Sequence, residues 1–234
     1  MTVTTLDATW TDSTWSGNPS WAVARDDTTG LATTGFAAIT RNMTSYSIFR
    51  AHMAWDASGI AASQVVTAVS LKIYPDYILQ ESGGINVVGD GANVWPKSAE
   101  DSGNYNKANY NFTDSLGSAD APMGLNAYNT LVLDSAAVTQ VQAGVGGRVA
   151  FTVLHRNDFA DTEPGAGTQP NYGFHKFDEA NPPQLVITHG DPAPAEIIAE
   201  SLAISQTVST SLAITQTVSE SLAISQTIEK ELIV

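Results

Sequence analysis

From Leu202 to Ile228 the Leu, Ile and Val residues keep to one parity. Leu202, Ile204, Val208, Leu212, Ile214, Val218, Leu222, Ile224 and Ile228 all fall on even positions, with Gln206, Gln216 and Gln226 in the same file. Until the last few residues the odd file holds only Ser, Ala and Thr. The stretch is a ten-residue unit, SLAISQTVST, written three times and then begun again. Alternation held in phase for that long is the period of a β-strand. At the helical angle of about 100° per residue the same side chains scatter around the cylinder and leave no stripe for a coiled coil.

Ordinary strands run about 3–10 residues, and 201–234 contains no Gly or Pro to fold the segment back. A lone strand of this length leaves its ladder groups unpaired and its Leu/Ile file in water. The stretch therefore calls for partners: identical chains wound into a β-structured stalk, or a surface on a neighbouring protein. The competing reading is a disordered low-complexity tail, although such tails are usually poor in Leu, Ile and Val.

Upstream the pattern changes. Alternating or apolar runs at Tyr46–Trp55, Val65–Tyr74, Ile85–Val88, Thr130–Leu133, Val149–Leu154 and Gln184–His189 are separated by Gly-, Pro-, Asn- and Asp-rich connections. That is the signature of an all-β domain of the sandwich or jelly-roll kind. One short helix is expected over Ala136–Ala143, capped by Asp134-Ser135 and ended by Gly144. The polar stretches 10–35, 96–127 and 156–183 read as loops, and loops that long usually bind something. All aromatic residues lie between Trp10 and Phe177. The expected organisation is a jelly-roll β-sandwich at 1–190, a stiff Pro-containing linker at 191–200, and a repeat tail for assembly at 201–234.

Composition narrows the partners. The 234 residues carry a formal net charge of −14, which disfavours nucleic acid and anionic membranes. Cysteine is absent, removing disulfides, thiol chemistry and thiolate metal sites. No apolar run reaches the length of a membrane span. The first residues show neither a basic n-region nor an apolar h-region, so synthesis in a cytoplasm is the expectation.

Several blocks resemble one known family. The run Tyr46-Ser-Ile-Phe-Arg-Ala-His-Met-Ala-Trp-Asp-Ala-Ser-Gly-Ile, followed by Val66-Thr-Ala-Val-Ser-Leu-Lys-Ile-Tyr, resembles the DNRLRE-type domain. There an arginine-containing strand leads into Phe-Asp-Thr-Ser and then a second strand; here Trp55-Asp-Ala-Ser stands in the first place and Val69 where the family has Ala. Tyr128-Asn-Thr-Leu-Val-Leu, Val149-Ala-Phe-Thr-Val-Leu-His-Arg-Asn-Asp and Phe177 through Leu185-Val-Ile-Thr continue the likeness in the same order, over about residues 40–190. The resemblance implies a jelly-roll domain of bacterial surface proteins and tailed-phage virion proteins. Some relatives bind carbohydrate, and catalysis is not implied. The decapeptide repeats lie outside it.

Individual residues carry competing readings. Trp55 and Asp56 suit a core filler and a turn cap better than a ligand contact. Arg50, on the face of its strand shared with Asp56, suits a structural ion pair or hydrogen-bond network. Asp158, Asp161 and Glu163 cluster in one loop; calcium is the ion such oxygens would suit, but EF-hand spacing is missing and a solvated acidic loop is the simpler reading. Trp10, Trp15, Trp21, Trp95, Tyr105, Tyr110 and Tyr172 are candidates for stacking on sugar rings, against the alternative that they pin long loops. His52, His155, His175 and His189 show no zinc-ligand spacing, and no nucleophile elbow or paired-carboxylate pattern stands out.

The combined expectation is a non-enzymatic structural protein of a virus particle: a decoration, fibre or spike subunit. Its partners would be its own copies, in a trimer for example, and other virion proteins, with a host-surface glycan as a further ligand. The alternatives are a carbohydrate-binding module of a cell-surface protein and a self-polymerising extracellular filament.

Overall fold

A computed structural model describes residues 1–192 apart from 29, 34–35, 80–82, 90–104, 107, 109–111, 113, 121 and 177. The chain runs β1 (Thr2–Asp7), β2 (Trp10–Asn18), α1 (Trp21–Arg25), β3 (Leu31–Thr33), β4 (Ala37–Asn42), β5 (Tyr46–Asp56), β6 (Val65–Ile73) and β7 (Pro75–Leu79). It continues through β8 (Ile85–Gly89), β9 (Gly117–Ala119), β10 (Asn129–Val132), α2 (Ser135–Gly144), β11 (Arg148–His155), α3 (Arg156–Phe159), β12 (Asn171–Phe174) and β13 (Gln184–Gly190). The fold is an all-β sandwich of antiparallel sheets. The described residues belong to one compact unit, Met1–Pro194. The linker and the repeat residues from Leu202 to Ile228 lie outside the described residues. No helix among the described residues is long and apolar enough to cross a membrane.

The smaller sheet has the order β1-β13-β6-β10, and the larger the order β7-β12-β4-β5-β11-β8-β9, with β2 and β3 attached through β5. Inward residues of the small sheet, among them Val69, Leu71, Ile73, Leu185 and Ile187, share one core with Met53, Trp55, Val149, Phe151 and Val153 of the large sheet. In β6 the buried positions step from Val66 to Val69, leaving both Thr67 and Ala68 exposed. The register with β13 shifts at that point, between Thr188 and His189, as a bulge requires.

All six strands expected from apolar runs are present, within a residue or so of the expected bounds. The helix is also there. Asp134 caps α2 by accepting from the Ala137 N–H at 2.9 Å, and Ala137 and Val141 enter the core. Trp55 is fully buried and Asp56 accepts from the Ser58 N–H at 2.9 Å, so both have the structural roles expected of them.

The expected loops are not all loops. Residues 10–35 contain β2, α1 and β3; 156–183 contains α3 and β12; 96–127 contains β9. The nine residues of β2 bury Thr11, Asp12, Ser13, Thr14 and Ser16, so no apolar alternation marks the strand. Backbone pairing marks it instead, since all nine residues register against β5 from Tyr46 to Ala54. In β7, Pro75 takes the first position of an edge strand, where its missing N–H costs no ladder bond.

Candidate functional site

Two places on this frame concentrate polar chemistry. The first begins with Arg50, in the middle of the apolar strand β5. Residues 46–49 of β5 pair with β4 and residues 51–56 with β11, so Arg50 sits where the strand changes partners. Its guanidinium is fully buried, and a charge in that position needs a matching charge and full hydrogen bonding. Asp158, also fully buried, supplies both. Arg50 Nε donates to Asp158 Oδ2 at 2.8 Å and Nη2 to Oδ1 at 3.0 Å. Nη2 also donates to the Arg25 carbonyl at 2.9 Å, and Nη1 donates to the Tyr105 carbonyl. The Tyr105 ring lies 4.1 Å from the guanidinium carbon, and its hydroxyl donates to the Ala24 carbonyl at 2.7 Å. Burial raises the Tyr105 pKa far beyond the usual phenol range. Gly30 permits this packing: a Cβ there would come within 2.4 Å of Tyr105 Cβ.

Arg25, at the end of α1, extends the cluster outward. Its Nε donates to the Asp158 carbonyl at 2.9 Å, and its Nη1 lies 3.1 Å from Asp161 Oδ2. Asp161 adopts a left-handed backbone (φ 52°), tolerable for Asp, and also accepts from the Trp21 indole N–H at 3.2 Å. Glu163 accepts a hydrogen bond from the Tyr46 hydroxyl, which holds the Tyr46 pKa above its ordinary value.

The acidic loop is therefore not a convergent oxygen cage. One turn of α3 points Asp158 inward, while Asp161 and Glu163 meet separate partners near the surface. No group of three or more His, Asp or Glu side chains suited to a metal ion occurs among the described residues. The stacking candidates divide as well. Tyr105 is fully buried and Trp21 nearly so, packed edge-on to Tyr46; both pin the segments over the large sheet, and neither offers a free ring face. Tyr172 is likewise buried in the main core. Trp15 lies on β2 and stacks on Phe49 at 5.5 Å with 12° between the planes. Trp95 and Tyr110 lie outside the described residues.

Beside the Arg50 cluster, His52 lies between Thr14 Oγ1 of β2, at 2.8 Å, and Thr152 Oγ1 of β11, at 2.9 Å. Burial, and then the neighbouring Arg50 charge, lower its pKa to about 3, so it is neutral at pH 7. His155 makes a similar cross-strand contact, 2.8 Å from Thr40 Oγ1.

The second place is an open groove of about 360 Å³ formed by β4, β12 and β7, with Phe49 of β5. Along β4, Ala37, Ile39 and Arg41 line it, while Ala38 enters the core; Phe36, just before β4, both lines the groove and belongs to the core. Asn171 and Gly173 of β12 complete the floor, and Asp76, Tyr77, Lys176 and Glu179 stand around it. A Cβ at Gly173 would press on Asp76 Oδ1 and Tyr77 Cβ, each at 3.3 Å. Tyr77 is 49% exposed, and the Arg41 guanidinium lies 5.9 Å from the Phe49 ring centre. Two polar atoms of the lining, Arg41 Nε and Asn171 Oδ1, are buried without a hydrogen-bond partner. Sequence reasoning missed this groove, because its residues come from four separated strands, and the residues singled out beside them, Arg50, Tyr172 and His175, did not mark them.

No protein-family model matches this chain. No curated protein matches it in sequence either.

Proposed function

We propose that this chain is a non-enzymatic assembly subunit of a virus particle, a decoration, fibre or spike protein. Its β-sandwich would be the displayed head and its C-terminal repeats the element that joins it to other copies. The observation that carries this reading is the threefold decapeptide, whose Leu, Ile and Val residues from Leu202 to Ile228 all stay in the even file. Such a file stays wet unless another chain covers it. Identical repeats with one small-residue face and one apolar face suit copies packing in register around a symmetry axis.

The head is consistent with that role. Its buried ion pair is committed internally, Arg50 to Asp158, the buried Arg25 pairs with the exposed Asp161, and the buried His52 and His155 bond threonines of other strands. The resemblance of residues 40–190 to a domain of phage virion and surface proteins points the same way.

The test is fractionation of a lysate from cells making the chain together with its native particle. The chain should band with intact particles in a density gradient and withstand a salt wash. A chain that stays wholly in the soluble fraction, with particles present, contradicts the virion role.

A further inference from the structure

We propose that the free edge of β1 is a strand-docking site, and that its occupant is one decapeptide repeat of a second copy of the chain. The proposal rests on the reading of the repeats as assembly elements and names where they attach.

The backbone of β1 sets the site. Strand β1 ends the small sheet and pairs only with β13. The Ala8 N–H donates to the Pro183 carbonyl at 2.8 Å, one step beyond the pair Asp7–Gln184. Hydrogen-bonded and non-bonded pairs alternate along an antiparallel ladder, so Leu6, Thr4 and Thr2 bond β13. The N–H and C=O groups of Val3, Thr5 and Asp7 then point to the open side, where no strand among the described residues pairs with them. Such a row is a template for one more strand.

The other sheet ends are short or protected. β7 carries Pro75 and Asp76, β10 has four residues, and β9 and β3 have three each. β1 has six residues in unbroken register, with no Pro and no charge before Asp7. Proline, charge and shortness are how sheets keep strangers off their edges, and β1 lacks all three.

The two faces of β1 select the occupant. Leu6 packs against the core, yet Leu6 and Thr4 of the same file are only half-buried. On the outer face Thr5 stands beside Val186, Ser70 and Val132, and Val3 beside Thr188 and Ala68. None of these side chains is charged, and all are small or β-branched. A strand that extends the sheet here needs apolar side chains on its core side and small uncharged ones on its outer side. The repeat alternates in that way, with Leu202, Ile204 and Val208 in one file and Ala203, Ser205 and Thr207 in the other. A slip of one residue would turn every side chain to the wrong face. A second β1 fits less well, because two of the three residues in its inner file are threonines. A contact from the repeat of one copy to the head of another is head-to-tail, and it gives a defined oligomer where the rotation closes into a ring.

The test is disulfide trapping between full-length chains, which contain no cysteine of their own. One variant carries Val3→Cys, on the outer face of β1. It is mixed under mild oxidation with variants that carry Ala203→Cys, Ser205→Cys, Thr207→Cys or Gln206→Cys, each repeated at the equivalent position of the other two repeats. Neighbouring strands lie within disulfide reach, so the odd positions should give mixed disulfides by mass spectrometry. Gln206→Cys, in the opposite file, should give none. Adding Thr5→Pro to the Val3→Cys chain removes an outward N–H without touching the β13 ladder, and it should abolish the mixed product. If that variant fails to fold, the contrast between odd and even positions decides alone. Equal trapping at odd and even positions, or trapping that survives Thr5→Pro in a folded chain, overturns the proposal. A disulfide between two copies of position 3 as the main product would place β1 against β1 and overturn it too. An oligomeric chain with no mixed disulfide removes the docking site and leaves the assembly reading standing, whereas a monomeric chain removes both.

Discussion

Arg50 and Asp158 form the most demanding contact in the head. Both are fully buried, and their two hydrogen bonds join the centre of β5 to the first turn of α3 across 108 residues of sequence. A buried pair of this kind adds little over a well-packed apolar pair, but removing one partner strands the other charge in a dry site. Asp158→Asn keeps the volume and removes the charge. It should cost about 3–5 kcal/mol, read as a fall in the midpoint of urea unfolding. Asp161→Asn, at a half-exposed carboxylate, should cost about 1 kcal/mol or less. Equal effects from the two variants would show that the buried pair is not what fixes α3. Part of this was legible in the sequence. An arginine flanked by Phe49 and Ala51 in an apolar strand announces a buried carboxylate partner, and Asp158 stood in the acidic cluster noticed for calcium. The sequence could not show that Asp158, within α3, turns inward to Arg50 while Asp161 and Glu163, beyond the helix, meet Arg25 and Tyr46 nearer the surface, so a shared metal role and an ion-pair role looked alike.

At the scale of elements, legibility followed apolar content. β5, β6, β8, β10, β11 and β13 carry enough Val, Ile, Leu and Phe to show their period, and α2 has both its cap and its terminal glycine. β2 has none of these marks. It buries hydroxyls and a carboxylate because its outward layer is a polar core, in which Thr14, His52 and Thr152 link β2, β5 and β11 side by side. That link has a pH consequence. The His52 pKa is lowered to about 3 in the folded chain, against about 6.5 when unfolded. Above 6.5 both states are neutral and its contribution is complete. As pH falls from 6.5 towards 3 the unfolded chain takes up a proton that the folded chain refuses, and stability declines by about 1.4 kcal/mol per pH unit. His52→Gln, which keeps a polar group between the two threonines, should flatten this part of the stability profile relative to the parent. An unchanged slope in urea titrations between pH 6.5 and 4 would place the acid sensitivity on the carboxylates alone.

At the scale of the whole molecule, the head closes its sandwich without the last forty residues: Met1–Pro194 is a compact unit by itself. In the proposed reading the repeats serve association: the even file rich in Leu, Ile and Val would give it its driving force, and the acidic net charge of −14 would keep copies apart until the files align. Light scattering behind a sizing column, on the full chain beside residues 1–194, separates the contribution of the head from that of the repeats. The expected result is a defined oligomer for the full chain, of one mass over a tenfold range of concentration, and a folded monomer for 1–194. A monomeric full chain would contradict self-assembly through the repeats, and an oligomeric 1–194 would place the contact in the head instead.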